Sequence, residues 1–263
     1  MTAILQLSDT HVVPRGELVS GRLDTVAALS RLVERITDIR DQIGPVDALL
    51  VTGDLTDDGR DKSYEQFKSL VAPLGLPTHV LTGNHDAREP MRAAFAETMP
   101  EFGPLNWTHR VGDVQMIGLD TLVEGQGAGR LGEESLDFLR ETLSQAAGAP
   151  VLLGLHHPPF FTGIGFMDKI GLTDRDALCE ILSDYRGPLR ILCGHIHRMM
   201  VSDLAGHVAI SAPAPASLFA FDRRPEAPVG FLRQEGGCLL HRWNGQFQTV
   251  TIEPVAGSGP FPF

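Results

Sequence analysis

Short apolar runs recur along the first three quarters of the chain and are separated by longer amphipathic segments. These runs are rich in Val, Ile and Leu and predict buried parallel strands over residues 3–7, 48–52, 79–81, 151–155 and 189–193. The intervening segments place apolar residues at helical spacing and predict helices over residues 22–42, 62–71, 89–98, 133–146 and 174–185. Alternating strands and helices are typical of an α/β fold.

The remaining segments have a strand pattern. Residues 107–111 and 114–119 flank Gly112-Asp113 and predict a hairpin. After His197, further strands are predicted over residues 199–203, 208–211, 231–234, 238–243 and 246–252. We therefore expect one domain over residues 1–255, in which 199–255 form hairpins of a second sheet and could contribute oligomer contacts. Residues 256–263 are expected to form a loose tail.

Polar clusters follow the ends of the predicted parallel strands. They read Asp9-Thr10-His11, Gly53-Asp54, Gly83-Asn84-His85-Asp86, His156-His157-Pro158-Pro159 and Gly194-His195-Ile196-His197. Because the carboxyl ends of parallel strands meet at one edge of a sheet, these clusters are expected to converge there. Their mixture of carboxylate, amide and imidazole groups suits Zn, Mn, Fe or Co better than Ca or Mg. The pattern indicates a two-metal hydrolytic site.

The order and the residue sequences of these clusters resemble the motifs of a known family. The sequence D-x-H, G-D, G-N-H-D, H and G-H-x-H, from about Leu5 to His197, is similar to that of the calcineurin-like metallophosphoesterases. The variants GDLT, GNHD and HHPP most resemble the bacterial branch that contains class III cyclic-nucleotide phosphodiesterases and glycerophosphodiesterases. This resemblance implies a four-layer α/β/β/α sandwich of two mixed sheets flanked by helices.

The resemblance also implies four ligands for each of two metal ions. The first group is Asp9, His11, Asp54 and His197, and the second is Asp54, Asn84, His156 and His195. Asp54 belongs to both groups because one carboxylate can bind two ions. His85, grouped with Asp54 and Asn84 as catalytic, would contact the phosphate or protonate the leaving oxygen.

Other polar residues in or near the motifs are expected to support the site or the fold. Asp86 is expected either to orient His85 or to brace its loop. His157 is expected to be structural. So is His79, which lies within a predicted strand, and so are His109, His207 and His241, which have no ligand-type neighbours.

The composition of the chain limits the binding partners and the location that we expect for the protein. The formal charge of −11 and the pI near 5.3 disfavour binding to a nucleic-acid polymer or an anionic membrane. Three cysteines without CxxC spacing indicate neither a disulfide framework nor a thiolate zinc site. Met1 leads almost directly into the first strand, and no apolar run approaches the ~20 residues of a membrane span. We expect a cytoplasmic protein that forms a homodimer or higher homo-oligomer.

These observations predict a metal-dependent phosphoric diester hydrolase that uses metal-activated water on small diesters, such as cyclic nucleotides or glycerophosphodiesters. A phosphomonoesterase, a nucleotide or lipid pyrophosphohydrolase, a nuclease and a non-catalytic scaffold remain alternatives. Few arginines lie near the motifs, which favours diesters over monoester dianions. Residues 160–172 and 213–228 could form apolar walls around the substrate. Ser217 stands where some glycerophosphodiesterase-like relatives have a further His.

Overall fold

Strands and helices alternate up to residue 193, and the chain then continues mainly in strands, as the hydrophobic pattern predicts. The structure is a computed structural model that describes residues 1–258 and 261. Its strands are β1 (Thr2–Leu7), β2 (Ala48–Val51), β3 (Thr78–Val80), β4 (Trp107–Val111), β5 (Val114–Gly118), β6 (Val151–Gly154), β7 (Leu189–Cys193), β8 (Met200–Leu204), β9 (His207–Ser211), β10 (Leu218–Phe219), β11 (Phe231–Leu232), β12 (Cys238–Trp243) and β13 (Phe247–Ile252). Its helices are α1 (Thr25–Asp38), α2 (Arg40–Ile43), α3 (Asp61–Val71), α4 (Arg88–Ala94), α5 (Gly132–Ala146), α6 (Gly165–Lys169) and α7 (Arg175–Ser183).

Two large mixed sheets form the centre of the molecule. The first has the strand order β13-β12-β1-β2-β3, and the second has the order β4-β5-β6-β7-β9-β8. Parallel pairing joins β1 to β2 and β2 to β3, and it also joins β5, β6, β7 and β9 in turn. A separate two-stranded ribbon pairs β10 with β11.

This topology corrects two expectations. The strands that precede the ligand clusters do not share one sheet, because β1, β2 and β3 lie in the first sheet and β6 and β7 in the second. The strands after residue 199 do not all belong to the second sheet either. The hairpin β8–β9 extends the second sheet, whereas β12 pairs antiparallel with β1 and covers an edge that would otherwise expose unpaired backbone groups.

Alternating side chains pack the two sheets against each other and against helices. The larger core combines α1, α3 and the first sheet with Met116 and Leu152 of the second sheet. The next residues along β5 and β6, Ile117 and Leu153, point to the opposite face and pack with α5 and α7. The layers are therefore helix, sheet, sheet and helix, which confirms the predicted sandwich.

Helix α1 shows how local sequence sets an element. Its buried face repeats at helical spacing through Val26, Leu29, Leu32 and Ile36. The helix begins at Thr25 rather than at residue 22, because the Asp24 side chain accepts a hydrogen bond from the Ala27 amide at 2.9 Å and caps the first turn.

The end of the chain has no regular structure where it is described. Residues 256–258 and 261 are exposed and lie outside helices and strands. The rest of the predicted tail, residues 259, 260, 262 and 263, lies outside the described residues. Within the described part of the chain, none of the helices combines the length and apolar character needed to cross a membrane.

Candidate metal centre

The predicted ligand clusters meet where the two sheets face each other. Loops after β1, β2 and β3 approach from one sheet, and loops after β6 and β7 approach from the other. Six of the seven predicted ligands, all except His156, line a cavity of about 470 Å³. The site is thus shared between sheets rather than built on a single edge.

The backbone of the ligand loops is held in an unusual conformation. Non-glycine residues rarely adopt positive φ angles, yet five predicted ligands do so: Asp9 (53°), His11 (43°), Asp54 (50°), His195 (71°) and His197 (51°). Hydrogen bonds between loops stabilise this geometry, since the amides of Asp9 and His11 donate to the carbonyls of Gly53 and Asp54 at 3.0 and 2.9 Å. Clustered strain of this kind is typical of functional sites.

Glycines in the motifs allow the carboxylates to touch neighbouring backbone. A Cβ atom at Gly83 would lie 2.1 Å from Asp54 Oδ1, and one at Gly194 would lie 2.7 Å from Asp9 Oδ2. The space that they leave lets the His85 amide donate to Asp54 Oδ1 at 2.8 Å. The His195 amide likewise donates to Asp9 Oδ1 at 2.9 Å. These contacts orient both carboxylates before any ligand binds.

The first predicted ligand group converges as a buried cluster. His11 Nε2 lies 3.1 Å from His197 Nε2 and 3.5 Å from Asp54 Oδ2. His197 Nε2 lies 3.6 Å from Asp9 Oδ1. Four ligand-type atoms from three loops therefore surround one point.

The second predicted group converges beside the first. His156 Nε2 lies 3.4 Å from Asp54 Oδ2, 3.2 Å from Asn84 Oδ1 and 3.3 Å from His195 Nδ1. His195 Nδ1 is 2.9 Å from Asn84 Oδ1. Asp54 Oδ2 is close to both His11 and His156, which places this carboxylate between the two groups.

The chemistry of this donor set suits metal cations. The side chains of Asp9 and Asp54 are 0% and 3% exposed. Neither has a Lys or Arg partner within 4.0 Å among the described residues, and an unpaired buried carboxylate is costly. Carboxylate, amide and imidazole atoms within a few ångströms of one another can bind transition metals. The residues therefore fit a two-metal centre.

The pKa values of the predicted ligands also agree with a two-metal centre. Burial raises the pKa of Asp9 to about 6. Burial alone would lower the pKa of His11, but its hydrogen bond to Asp57 and the charges of Asp54 and Asp9 outweigh this effect and raise that pKa to about 9. In His156 burial is likewise outweighed, chiefly by the Asp54 charge, and the pKa rises to about 9. The carboxylates thus draw positive charge into the centre.

Hydrogen bonds outside the cluster fix the orientation of the imidazoles. His156 Nδ1 donates to the Thr52 carbonyl at 2.8 Å, and His11 Nδ1 lies 3.0 Å from Asp57 Oδ1. His197 Nδ1 lies 3.1 Å from the hydroxyl of Ser217, the position at which the sequence departs from some relatives. In these three imidazoles Nε2 faces the centre, as expected for ligands held by outer partners.

His85 lies at the mouth of the centre and is not buried. Its side chain is 42% exposed, lines the cavity and packs edge-on against His11, with ring centroids 4.7 Å apart. This position is consistent with the predicted contact to a substrate.

Asp57 is a site residue that the sequence reasoning missed. His85 Nδ1 donates to the Asp57 carbonyl at 3.1 Å, and the Asp57 carboxylate lies 3.4 Å from the same nitrogen. Asp57 therefore contacts both a predicted ligand, His11, and the predicted catalytic His85. Its position three residues after Asp54, in the loop that follows β2, is the sequence signal that could have identified it.

Asp86 and His157 have structural roles. Asp86 accepts hydrogen bonds from the amides of Leu55, Thr56 and Gly83, so its carboxylate braces the loop; within the described part of the chain it accepts none from the His85 ring. His157 Nε2 donates to the Gly127 carbonyl at 3.1 Å, and its Nδ1 lies 2.8 Å from the Thr121 hydroxyl. Both nitrogens of His157 are therefore engaged away from the metal centre.

The predicted apolar walls contribute to the cavity in part. Residues 160–172 supply Phe166, Met167 and Ile170, and residues 213–228 supply Ala216, Ser217 and Phe219. Phe160, Phe161 and Phe221 are not among the lining residues. A third wall, which the sequence did not suggest, comes from Val19, Ser20 and Leu23 after the first ligand loop.

The two-sheet fold and the buried carboxylate and imidazole centre define a metallophosphoesterase. A model of the calcineurin-like phosphoesterase family matches residues 2–199. The chain belongs to this family, whose members use a dinuclear metal centre, and it is a hydrolase. The resemblance seen in the motifs is thereby confirmed.

Individual relatives extend the similarity. The chain is 32% identical over 265 residues to a protein named "probable glycerophosphodiester phosphodiesterase" from Arcobacter nitrofigilis, covering 99% of this chain and 96% of that protein. It is 35% identical over 195 residues to a 3',5'-cyclic adenosine monophosphate phosphodiesterase from Pseudomonas aeruginosa, covering 74% and 69% respectively. The fold is similar to that of a dimetal phosphatase from Danio rerio, with a TM-score of 0.66 at 14% identity and coverage of 95% and 98%.

Proposed function

We propose that this protein is a two-metal phosphodiesterase that hydrolyses small diesters, with cyclic nucleotides and glycerophosphodiesters as the candidate classes. The observation that carries the proposal is the convergence of the seven predicted ligands into two groups that share Asp54, with all of them except His156 lining one cavity. The names of the relatives from Arcobacter nitrofigilis and Pseudomonas aeruginosa support a diester substrate.

In this proposal the first ion is held by Asp9, His11, Asp54 and His197, and the second by Asp54, Asn84, His156 and His195. Mn, Fe, Zn or Co would suit this donor set. When bound, two such ions supply activation of water and neutralisation of charge on the phosphoryl oxygens. The protein's own contribution is to orient the ligands through interloop hydrogen bonds and to place the His85 imidazole over the substrate.

The charge of the cavity favours a diester. Among the described residues that line it there is no Lys or Arg. The guanidinium groups near the motifs bind elsewhere, since Arg88 pairs with Asp120 at 2.6 Å and Arg198 donates to the Phe219 carbonyl. A diester carries one negative charge and needs less cationic help than a monoester dianion. Arg is the usual partner for the extra phosphate oxygens.

The size and surface of the site favour a small substrate. A cavity of about 470 Å³ with walls of Phe, Met and Ile can hold a base, an aryl group or a short alcohol. The net charge of −11 opposes the grip on a polyanionic backbone that a nuclease needs.

The test compares hydrolysis of bis-p-nitrophenyl phosphate and p-nitrophenyl phosphate by the protein loaded with Mn²⁺. We expect a higher kcat/KM for the diester, and loss of activity after chelation. Faster turnover of the monoester would contradict the diester assignment.

Two variants test the shared ligand in the same experiment. Asp54→Ala should lose bound metal and activity together, whereas Asp58→Ala, which removes a carboxylate of the same loop that pairs with the exposed Arg60, should keep both. Retention of two tightly bound ions in Asp54→Ala, measured by elemental analysis, would contradict the ligand assignment.

A further inference from the structure

A second cleft opens beside the metal centre and is positively charged. It has a volume of about 210 Å³ and lies between the segment 163–169 and the connection between β10 and β11. Its described lining includes three cationic side chains, Lys169, Arg223 and Arg224, and one carboxylate, Asp222. Such a local excess of positive charge contrasts with the net charge of −11 for the whole chain.

Two of the three cations are available to a ligand. Arg224 is already paired, because its Nε lies 2.9 Å from Asp222 Oδ1. Among the described residues, Lys169 and Arg223 have no carboxylate oxygen within 4.0 Å. The carboxylate of Asp168, next to Lys169, accepts instead from the amides of Thr162 and Gly163 at 2.7 and 3.0 Å.

The position of Arg223 depends on close contact with Gly163. A Cβ atom at Gly163 would lie 2.8 Å from Arg223 Nε and 3.4 Å from its Cζ. The guanidinium therefore rests directly on the backbone just before α6, the helix that ends in Lys169. Gly163 also has a φ of 77°, so its lack of a side chain serves both its conformation and this contact.

Two aromatic residues connect this cleft to the metal centre. Phe166 and Phe219 line both cavities. The Phe219 ring packs against the predicted ligand His197, with centroids 5.0 Å apart, and its carbonyl accepts a hydrogen bond from Arg198. The two cavities are therefore adjacent, with these two rings on their shared border.

We propose that this cleft binds a second phosphate group of the substrate, carried on the alcohol portion of the diester, through Lys169 and Arg223. The inference rests on the proposed phosphodiesterase function and specifies its substrate class: a small diester with an apolar or aromatic spacer and a terminal phosphate. Charge-assisted hydrogen bonds from Arg and Lys are the usual means of holding such a group, and the Phe pair suits a ring as the spacer.

The experiment compares two compounds with the same leaving group, the p-nitrophenyl ester of thymidine 5′-phosphate with and without a 3′-phosphate. We expect the wild-type protein loaded with Mn²⁺ to hydrolyse the phosphorylated compound with about tenfold higher kcat/KM, mainly through a lower KM. The advantage should shrink at high ionic strength, because the cleft is partly exposed.

Variants locate this preference in the cleft. The double variant Lys169→Gln/Arg223→Gln should lose most of the preference while its rate on the unphosphorylated compound stays close to that of the wild type. Arg233→Gln, a matched loss of charge just after β11 at a residue outside the cleft lining, should keep the preference. Equal kcat/KM for both compounds in the wild type, or an unchanged preference in the double variant, would overturn the inference.

Calorimetric binding separates failure of the cleft from failure of the proposed function. Thymidine 3′,5′-bisphosphate should bind the wild-type protein about tenfold more tightly than thymidine 5′-phosphate, and the double variant should lose this difference. If neither nitrophenyl ester is hydrolysed, the proposed function fails and the binding difference still decides whether the cleft takes a phosphate. Equal binding of both nucleotides would overturn the proposal that the cleft binds a phosphate group.

Discussion

At the scale of single residues, His85 and Asp57 extend the chemistry of the centre beyond its ligands. His85 lies at the cavity surface, and its Nδ1 donates to the Asp57 carbonyl, which leaves Nε2 free to face a substrate. The Asp57 carboxylate also lies 3.0 Å from His11 Nδ1. One acidic residue thus positions both a predicted ligand and the predicted proton donor.

The first residue-scale prediction concerns the leaving group. If His85 protonates the leaving oxygen, His85→Ala should lower kcat by about 10²–10⁴-fold on a nucleoside or alkyl diester. The loss should be smaller on bis-p-nitrophenyl phosphate, because nitrophenolate departs with little help. Asp57→Asn should show the same substrate dependence with a smaller loss, because it removes the carboxylate charge 3.4 Å from His85 Nδ1 but keeps the imidazole and the backbone carbonyl that accepts from it.

Rates on both diesters and elemental analysis of the variants distinguish the possible roles of His85. Both metals should remain in His85→Ala, because His85 belongs to neither predicted ligand group. Equal losses on the two substrates would reassign His85 to phosphate binding. Loss of a metal ion would make it a structural support of the centre.

At the scale of elements, a hydrogen-bonded chain ties the C-terminal hairpin β12–β13 to the ligand strands. Arg190 donates to the Thr249 hydroxyl at 2.8 Å, and that hydroxyl lies 2.9 Å from His241 Nδ1. His241 Nε2 lies 2.9 Å from Gln6 Oε1, and Gln6 Nε2 donates to the Thr52 hydroxyl at 2.9 Å. With these donors His241 is neutral, accepting at Nδ1 and donating at Nε2.

This arrangement predicts acid sensitivity of the fold. Burial, with a contribution from the Arg190 charge, lowers the pKa of His241 from 6.5 to about 3. Because the unfolded chain binds the proton first, the stability present above pH 6.5 is lost as the pH falls toward 3. His241→Gln removes this titration. Between pH 7 and pH 5, its free energy of unfolding should therefore fall by about 2 kcal/mol less than that of the wild type.

Denaturant unfolding of both proteins at each pH measures this difference, whatever the stability of the variant at neutral pH. Parallel curves for the wild type and His241→Gln between pH 7 and pH 5 would show that His241 is not responsible.

At the scale of the whole molecule, the metal centre joins the two sheets. Asp9, Asp54 and Asn84 come from loops of the first sheet, and His156, His195 and His197 come from loops of the second. Each predicted ligand group draws on both sheets. Ligands that are brought together only by folding couple metal binding to stability.

This coupling predicts that bound metal stabilises the fold. Mn²⁺ at about 100 times its dissociation constant should stabilise the folded protein by about 2.7 kcal/mol, which corresponds to a rise in Tm of about 5–10 °C for a chain of this size. Calorimetric scans with Mn²⁺ and with a chelator measure the shift. Asp54→Ala should show little of it and Asp58→Ala should keep it, whereas an unchanged Tm in the wild type would contradict the coupling.

Much of the site could be read from local patterns. Each ligand cluster directly follows a short apolar run, and the glycines before Asp54, Asn84 and His195 are needed because their neighbours touch the backbone there. Strand ends and close contacts of this kind depend on a few adjacent residues. For this reason the order of the motifs was enough to indicate converging polar clusters and the family.

Other features depend on residues far apart in the chain. The pairing of β12 with β1 joins residues such as His241 and Gln6, which are 235 positions apart, and hydrophobic periodicity cannot specify which strand edge is covered. Three further features also depend on residues far apart in the chain. They are the division of the ligand strands between two sheets, the contact of Asp57 with His85, and the contact of Arg223 with Gly163. They follow from long-range packing of whole layers, in which the free energy of burying both sheets selects one arrangement among several that the local sequence permits.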